Sequence, residues 1–212
     1  MPHQNRVTPS GHIIATPARG TLMGNRGILH DSQGRLPRPY AYRGKRWIFC
    51  ALAFKGRQRQ VMSPGRYTEL FFLDEATALA AGHRPCAECL RPRFQEFRAA
   101  WAEANPELAG EPSPAVAVID AALHQERLVS PYRPRKQTYL EQLAALPAGV
   151  FIALEPEGTP HLVQESHLLP WQPAGYDPPV VRPADQAVQV LTPPSIVRAI
   201  AVGFKPQLHP SA

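Results

Sequence analysis

Short apolar runs separated by proline-rich polar turns make up most of the chain. Runs of four to eight β-favouring residues are typical of strands, and apolar residues recurring every three or four positions are typical of helices. We predict strands at 12–15, 20–24, 47–54, 67–72, 149–154, 162–164 and 188–191. We predict helices at 75–81, 92–104, 116–128, 136–146 and 195–202. This mixture of elements indicates an α+β fold.

Several of the predicted helices carry end signals. Asp74 is a typical N-cap residue for the helix predicted at 75–81, and Gly82 is a typical stop signal at the end of that helix. Pro92 suits the first turn of the next helix, and Ser195 is a candidate cap for the last helix. These signals fix the predicted helix boundaries more firmly than the apolar spacing alone does.

The chain is predicted to have two parts. Residues 105–114 contain three prolines and a glycine, which is typical of a linker. The first predicted domain, 1–106, is a small module with short strands and two helices. The second, 113–212, is a mixed α/β region to which the sequence assigns no function.

Composition indicates the cellular compartment in which the protein is expected. No stretch approaches the roughly 18 apolar residues that a membrane span requires. The first residues lack the apolar core of a signal peptide, so a cytoplasmic location is expected. In that reducing compartment, a pair of nearby cysteines is more often a metal or redox site than a disulfide.

Charge is distributed unevenly along the chain. Residues 1–66 contain twelve Lys and Arg side chains and a single acid, Asp31. Such segregation, with arginine predominating, suits contact with the phosphates of a nucleic acid, whether DNA or RNA. The alternatives are a solvated basic face and a basic face that docks on the acidic half of the same chain. The candidate phosphate-binding residues are Arg43, Lys45, Arg46, Lys55, Arg57 and Arg59.

Three cysteines are the strongest chemical signal in the sequence. Cys86 and Cys89 form a Cys-x-x-Cys pair between two predicted helices, and Cys50 follows strand-like residues. Thiolates at this spacing are typical zinc ligands, so we predict a Zn²⁺ site that stabilises the N-terminal module. A thioredoxin-like redox pair is the main alternative. Other protein or solvent ligands that could complete the zinc site are His30, Asp31, His83, His124 and a water molecule.

The cysteine region resembles a known family. Residues 74–89 have the sequence DEATALAAGHRPCAEC, and with 48–50 and 71–72 they are similar to the zinc-binding domain of the Ada DNA-repair family. The similarity extends over 47–91. It implies a zinc-binding, DNA-binding module with a role in DNA repair or processing.

The same resemblance implies roles for individual residues. In that family four cysteines bind zinc, and one accepts a methyl group from a DNA phosphotriester. The resemblance places Cys50 at the acceptor position, whereas the next cysteine of the family falls at Phe54 here. Ada-like modules attached to nucleases carry a Gly-Asn…His…Cys stretch that is similar to 24–25, His30 and Cys50. The resemblance therefore favours His30 as the fourth zinc ligand.

An enzymatic function is the alternative hypothesis. A metal-dependent nuclease or hydrolase, or an alkyl acceptor using Cys50, would fit the same residues. Asp120 and His124 lie four positions apart and so share a helix face, although this spacing more often gives a solvated contact. No catalytic residue is assigned. The ionisable candidates are His30, Asp31, His83, Glu88, Asp120, His124 and Glu126.

Overall fold

The structure, a computed structural model, describes residues 2–36, 42–56, 60–129, 136–183 and 186–212. Within these ranges the chain forms thirteen strands and five α-helices arranged around two sheets. The predicted α+β fold class is therefore confirmed. None of the helices in the described ranges has the length and apolar character needed to cross a membrane.

The first sheet is mixed and is built from the first 85 residues. Its strands, in the spatial order β2-β1-β5-β3-β4-β6, are β1 (Gln4–Val7), β2 (Ile13–Ala15), β3 (Leu22–Asn25), β4 (Ile48–Ala51), β5 (Leu70–Phe72) and β6 (Arg84–Pro85). Strand β3 packs closely between its neighbours. A Cβ atom on Gly24 would lie 2.2 Å from the carbonyl oxygen of Ile48, so this position requires glycine.

Helix α1 (Glu75–Ala80) follows β5 directly and has the predicted ends. The Asp74 carboxylate accepts a hydrogen bond from the backbone N–H of Thr77 at 2.8 Å, which is a standard N-cap contact. Gly82 has φ of +80°, and a Cβ atom there would lie 2.8 Å from the Arg127 side chain. The stop signal thus reflects both the backbone conformation and the close approach of Arg127.

The other helices are α2 (Arg91–Ala104), α3 (Pro106–Ala109), α4 (Val116–Arg127) and α5 (Pro194–Ala201). Helix α3 occupies the first part of the predicted linker. The amide of buried Asn105 donates to the carbonyls of Trp101 and Ser195, so this segment is packed rather than extended. Ser195 lies inside the first turn of α5, where the N-cap is Pro193.

The second sheet is antiparallel in every described pairing. Its strands are β7 (Tyr139–Gln142), β8 (Phe151–Ala153), β9 (Pro160–Val163), β10 (His167–Gln172), β11 (Gly175–Tyr176), β12 (Val180–Val181) and β13 (Ala187–Val190). The helix predicted at 136–146 is wrong. Residues 139–142 pair with β13 in the register Tyr139 to Val190, and a 3₁₀ turn follows. Pairing with a distant strand outweighs the local preference for helix.

The larger of two hydrophobic clusters contains residues of both sheets and joins them. Helices α2 and α5 pack together, and buried residues of this cluster range from Val7 in β1 to Phe204 beyond α5. The rings of Phe97 and Phe204 meet edge to face with centroids 5.4 Å apart. Each predicted domain supplies one sheet, while the division of the chain into 1–106 and 113–212 stays a prediction.

Candidate metal centre

The pairing of β4 with β6 brings the three cysteines together. These strands are parallel, and the backbone N–H of Cys86 donates to the carbonyl of Phe49 at 2.9 Å. Cys86 therefore lies beside Cys50, although 35 residues separate them in the chain. The sulfur atoms of Cys50, Cys86 and Cys89 all lie within 4.8 Å of one another. Thiolates at these distances can bind one metal ion together.

Backbone N–H groups are directed at the sulfur atoms. The N–H of Glu88 lies 3.4 Å from the Cys86 sulfur, and the N–H of Cys89 also donates to this sulfur. On the other side, the N–H of Ala51 donates to the Cys89 sulfur. Such bonds stabilise thiolates and orient metal ligands. They come from the turn and from β4, since α2 begins only at Arg91.

The three thiols perturb one another. A hydrogen bond from the Cys50 thiol, helped by N–H groups of Cys89 and Glu88, lowers the pKa of Cys86 to about 5. The same bond to Cys86, together with burial, raises the pKa of Cys50. Burial is the main reason why the pKa of Cys89 is raised. A divalent cation would favour three thiolates at once by displacing the remaining protons.

Access to the cluster is from the side of Cys89. Cys50 and Cys86 are buried, whereas Cys89 is half-buried and lines a cavity of about 270 Å³. The cavity lies against one face of the first sheet, and its walls include Met23, Phe54, Tyr67, Phe71 and Glu88. A molecule approaching the sulfurs would therefore meet Cys89 first, and Cys50, the acceptor implied by the resemblance, lies deeper.

The structure does not bring His30 to the sulfurs. Among the described residues, the potential ligand atoms that group within 4.8 Å belong to the three cysteines alone. The His30 ring nitrogens lie 2.7 Å from the Thr68 hydroxyl and 3.2 Å from the carbonyl of Ser63. The same hydroxyl accepts the backbone N–H of His30 at 3.3 Å, which ties this loop to the approach to β5. Those contacts hold the imidazole away from the site.

The other candidate ligands and catalytic groups make contacts of their own. Both oxygens of Asp120 accept from Arg84, at 2.8 and 2.9 Å, in a buried ion pair. Glu126 accepts the Ser195 hydroxyl at 2.6 Å. His124 lies 3.2 Å from Arg127, and Asp31 pairs with Arg35. Asp120 is thus a buried structural partner rather than a solvated helix-face residue.

Four of the six predicted phosphate-binding residues are exposed. Arg43, Lys45 and Arg46 lie in the segment 42–46, here called the basic loop, and Lys55 follows β4. Within the described parts of the chain, none of these four forms an ion pair. Arg57 and Arg59 lie outside the described residues.

The basic loop is anchored to the interior. The N–H of Arg43 donates to the carbonyl of Arg26 at 2.6 Å, and Arg127 donates to the carbonyl of Lys45. Trp47, which follows the loop, is buried, and the guanidinium groups of Arg26 and Arg127 lie over its ring at 4.2 and 4.0 Å. Trp47 is therefore not available to stack on nucleic-acid bases.

Sequence reasoning missed the buried basic residues. Arg26, Arg84 and Arg127 are each at most 2% exposed, although arginine is usually a surface residue. The sequence offers a signal only for Arg127, whose position one turn beyond Leu123 continues the buried face of α4.

Comparison with known proteins adds no family assignment. No family model, curated protein or solved structure matches the chain. The similarity to the Ada-like domain is thus carried by the motif at 47–91 alone.

Proposed function

We propose that this chain is a zinc-binding protein whose metal centre supports a surface that binds nucleic acid, DNA rather than RNA. The observation that carries the proposal is the convergence of the Cys50, Cys86 and Cys89 sulfurs within 4.8 Å. The N–H groups directed at two of these sulfurs favour the thiolate form. Among common cellular metals, zinc is well matched to a thiolate-rich set of this kind.

Zinc would have a structural role at this position. Its ligands connect the end of β4 with the turn that leads from β6 into α2, so the metal would hold elements that are far apart in sequence. With three protein ligands, a fourth position would remain for a water molecule or another donor. Because Cys89 lines the cavity, we place that position on the cavity side.

The first test is metal content. We expect about one zinc ion per chain after purification without chelators, measured by elemental analysis. Replacement of zinc by Co²⁺ should produce thiolate-to-metal absorption that each single Cys→Ser change at the three positions weakens. A protein that contains no metal and produces no such absorption with Co²⁺ would contradict the zinc proposal.

The nucleic-acid surface is proposed from the basic loop. Arg43, Lys45 and Arg46 are exposed, and the loop leads directly into β4, which ends near Cys50. Exposed guanidinium groups on an anchored loop are suited to phosphate contacts, which position a protein on a nucleic acid without selecting a sequence. The preference for DNA comes from the Ada-like motif.

The second test uses salt dependence. Binding of a short DNA duplex should weaken steeply as salt rises, because phosphate contacts release condensed counterions. The Arg43→Gln/Arg46→Gln double variant should lower the slope of log affinity against log salt by roughly two. The measurement is fluorescence anisotropy at several salt concentrations, with an RNA duplex of the same sequence in parallel.

A matched control distinguishes DNA binding by the basic loop from a general effect of net charge on DNA affinity. Arg91→Gln/Lys205→Gln removes two exposed cations from other parts of the structure and should leave the slope unchanged. Equal loss of affinity in both double variants would mean that overall charge, and not the basic loop, binds the nucleic acid.

A further inference from the structure

A cluster of cations lies beneath the basic loop. It consists of the buried Arg26 and Arg127 and the half-buried Lys136, here called the buried cationic cluster. Arg26 and Arg127 are 0% and 1% exposed, and their guanidinium groups lie over the Trp47 ring at 4.2 and 4.0 Å from its centroid. A β-bridge between Leu128 and Lys136 brings the lysine next to the end of α4, which carries Arg127.

Within the described ranges, the hydrogen bonds of Arg127 and Lys136 are made to neutral groups. Arg127 donates to the carbonyls of Gly82, at 2.8 Å, and of Lys45. Lys136 donates to the carbonyl of Ala80. The Nε of Arg127 is buried and has no hydrogen-bond partner among the described residues. Carbonyl groups orient these cations but do not neutralise them.

The carboxylates that act electrostatically on these cations, Asp120 on Arg127 and Glu126 on Lys136, each have other partners as well. Both oxygens of Asp120 are bonded to Arg84. Glu126 accepts from the N–H and hydroxyl of Ser195 and lies 3.7 Å from Arg198. The segments 37–41 and 130–135, which adjoin this region in sequence, contain no acidic residue. The C-terminus of α1, near Ala80, offers only about half a negative charge.

Burial of several like charges is unfavourable unless a counter-charge accompanies them. Burial and the charge of Arg26 lower the pKa of Arg127 to about 9 and the pKa of Lys136 to about 7. Both pKa shifts mean that the folded structure destabilises the protonated forms of Arg127 and Lys136. An anion bound at the cluster would lower this penalty, because it adds negative charge beside Arg127 and Lys136.

We propose that the buried cationic cluster binds a phosphate group beneath the basic loop. Buried Arg127 and half-buried Lys136 supply the positive charge, and the Lys45 carbonyl bonded to Arg127 joins the cluster to the exposed basic residues above it. A phosphate has several acceptor oxygens, which match the multiple N–H donors of guanidinium and ammonium groups. The phosphate can belong to a nucleic-acid backbone, in which case this inference rests on the proposed function, or to a free phosphoester.

The test measures thermal stability of the full metal-loaded chain in inorganic phosphate, against chloride at the same ionic strength and pH. At a phosphate concentration a hundredfold above the dissociation constant, the melting temperature should rise by roughly 5–10 °C. Calorimetric titration of the wild-type chain with phosphate provides a second measurement that depends on no variant. Absence of a thermal shift and of calorimetric binding up to tens of millimolar phosphate would overturn the proposal.

Lys136→Met distinguishes an anion site from a purely structural contact. The variant removes a half-buried cation that lies beside Arg127, so in chloride it should melt at or above the wild-type temperature, and phosphate should no longer shift it. If Lys136 serves only to bond Ala80, the variant should melt lower and keep the full phosphate shift, which would overturn the proposal. Lys205→Met, at an exposed position, is the matched control and should keep the wild-type response.

Competition identifies the source of the phosphate. If inorganic phosphate displaces a DNA duplex and Lys136→Met weakens binding of both, the cluster binds backbone phosphate. If phosphate binds but Lys136→Met leaves DNA affinity unchanged, the ligand is a free phosphoester. Either result supports the site. The proposed function is judged separately, by the Arg43→Gln/Arg46→Gln variant.

Discussion

Cys86→Ser is expected to abolish metal binding and to reduce the free energy of unfolding by about 5 kcal/mol or more, since structural zinc contributes directly to folding. Cys86 belongs to the candidate metal centre and is also hydrogen-bonded to the first sheet. Its N–H pairs with Phe49 of β4, and its sulfur accepts the N–H groups of Glu88 and Cys89. Thermal melting followed by circular dichroism, together with elemental analysis, measures both effects.

Ala87→Ser is the control for this change. It introduces the same hydroxyl into the same turn without removing a ligand, and it should bind metal and melt close to the wild type. Adding a chelator to the wild type should reproduce the instability of Cys86→Ser. If Cys86→Ser melts like Ala87→Ser, the three sulfurs have no metal-dependent role in stability.

Asp120→Asn should also destabilise the protein strongly, by about 3–5 kcal/mol, because it leaves a buried guanidinium without its counter-charge. Arg84 is 2% exposed and donates to both oxygens of Asp120. Its position in β6 means that this ion pair fastens α4 to the edge of the first sheet. Urea unfolding at neutral pH measures the change.

Two further variants isolate the charge effect. Arg84→Met/Asp120→Leu removes both charges and should recover most of the lost stability, because apolar replacement of a buried ion pair is often nearly neutral. Asp177→Asn, at an exposed position, should change stability by less than about 1 kcal/mol. A similar small effect of Asp120→Asn would show that Arg84 does not depend on this carboxylate.

Local signals predicted the parts of the fold that local interactions determine. Asp74 and Gly82 marked the ends of α1 because an N-cap bond and a positive φ need those residue types. The convergence of the cysteines was predictable from the preference of metals for several thiolates. Residues 139–142 form a strand because β13 pairs with them, and the sequence near 139–142 contains no signal for that pairing.

The surroundings of His30 and Arg26 also depend on residues that are distant in sequence. His30 was chosen by resemblance, yet its ring is held by Thr68, which lies 38 residues further along the chain. The burial of Arg26 depends on Trp47 and His83, which approach from other elements. Such contacts are decided by tertiary packing, and the identity of the residue alone does not indicate them.

The edge of the first sheet has a consequence for self-association. β6 is a two-residue edge strand, and Pro85 within it has no N–H to offer to another chain. Beyond Pro85, the carbonyl of Phe49 is covered by the N–H of Cys86, a proposed metal ligand. Release of the metal would loosen this cover and expose β4 to strand pairing between molecules. Zinc supply would then govern whether the protein stays monodisperse or aggregates through its own sheet.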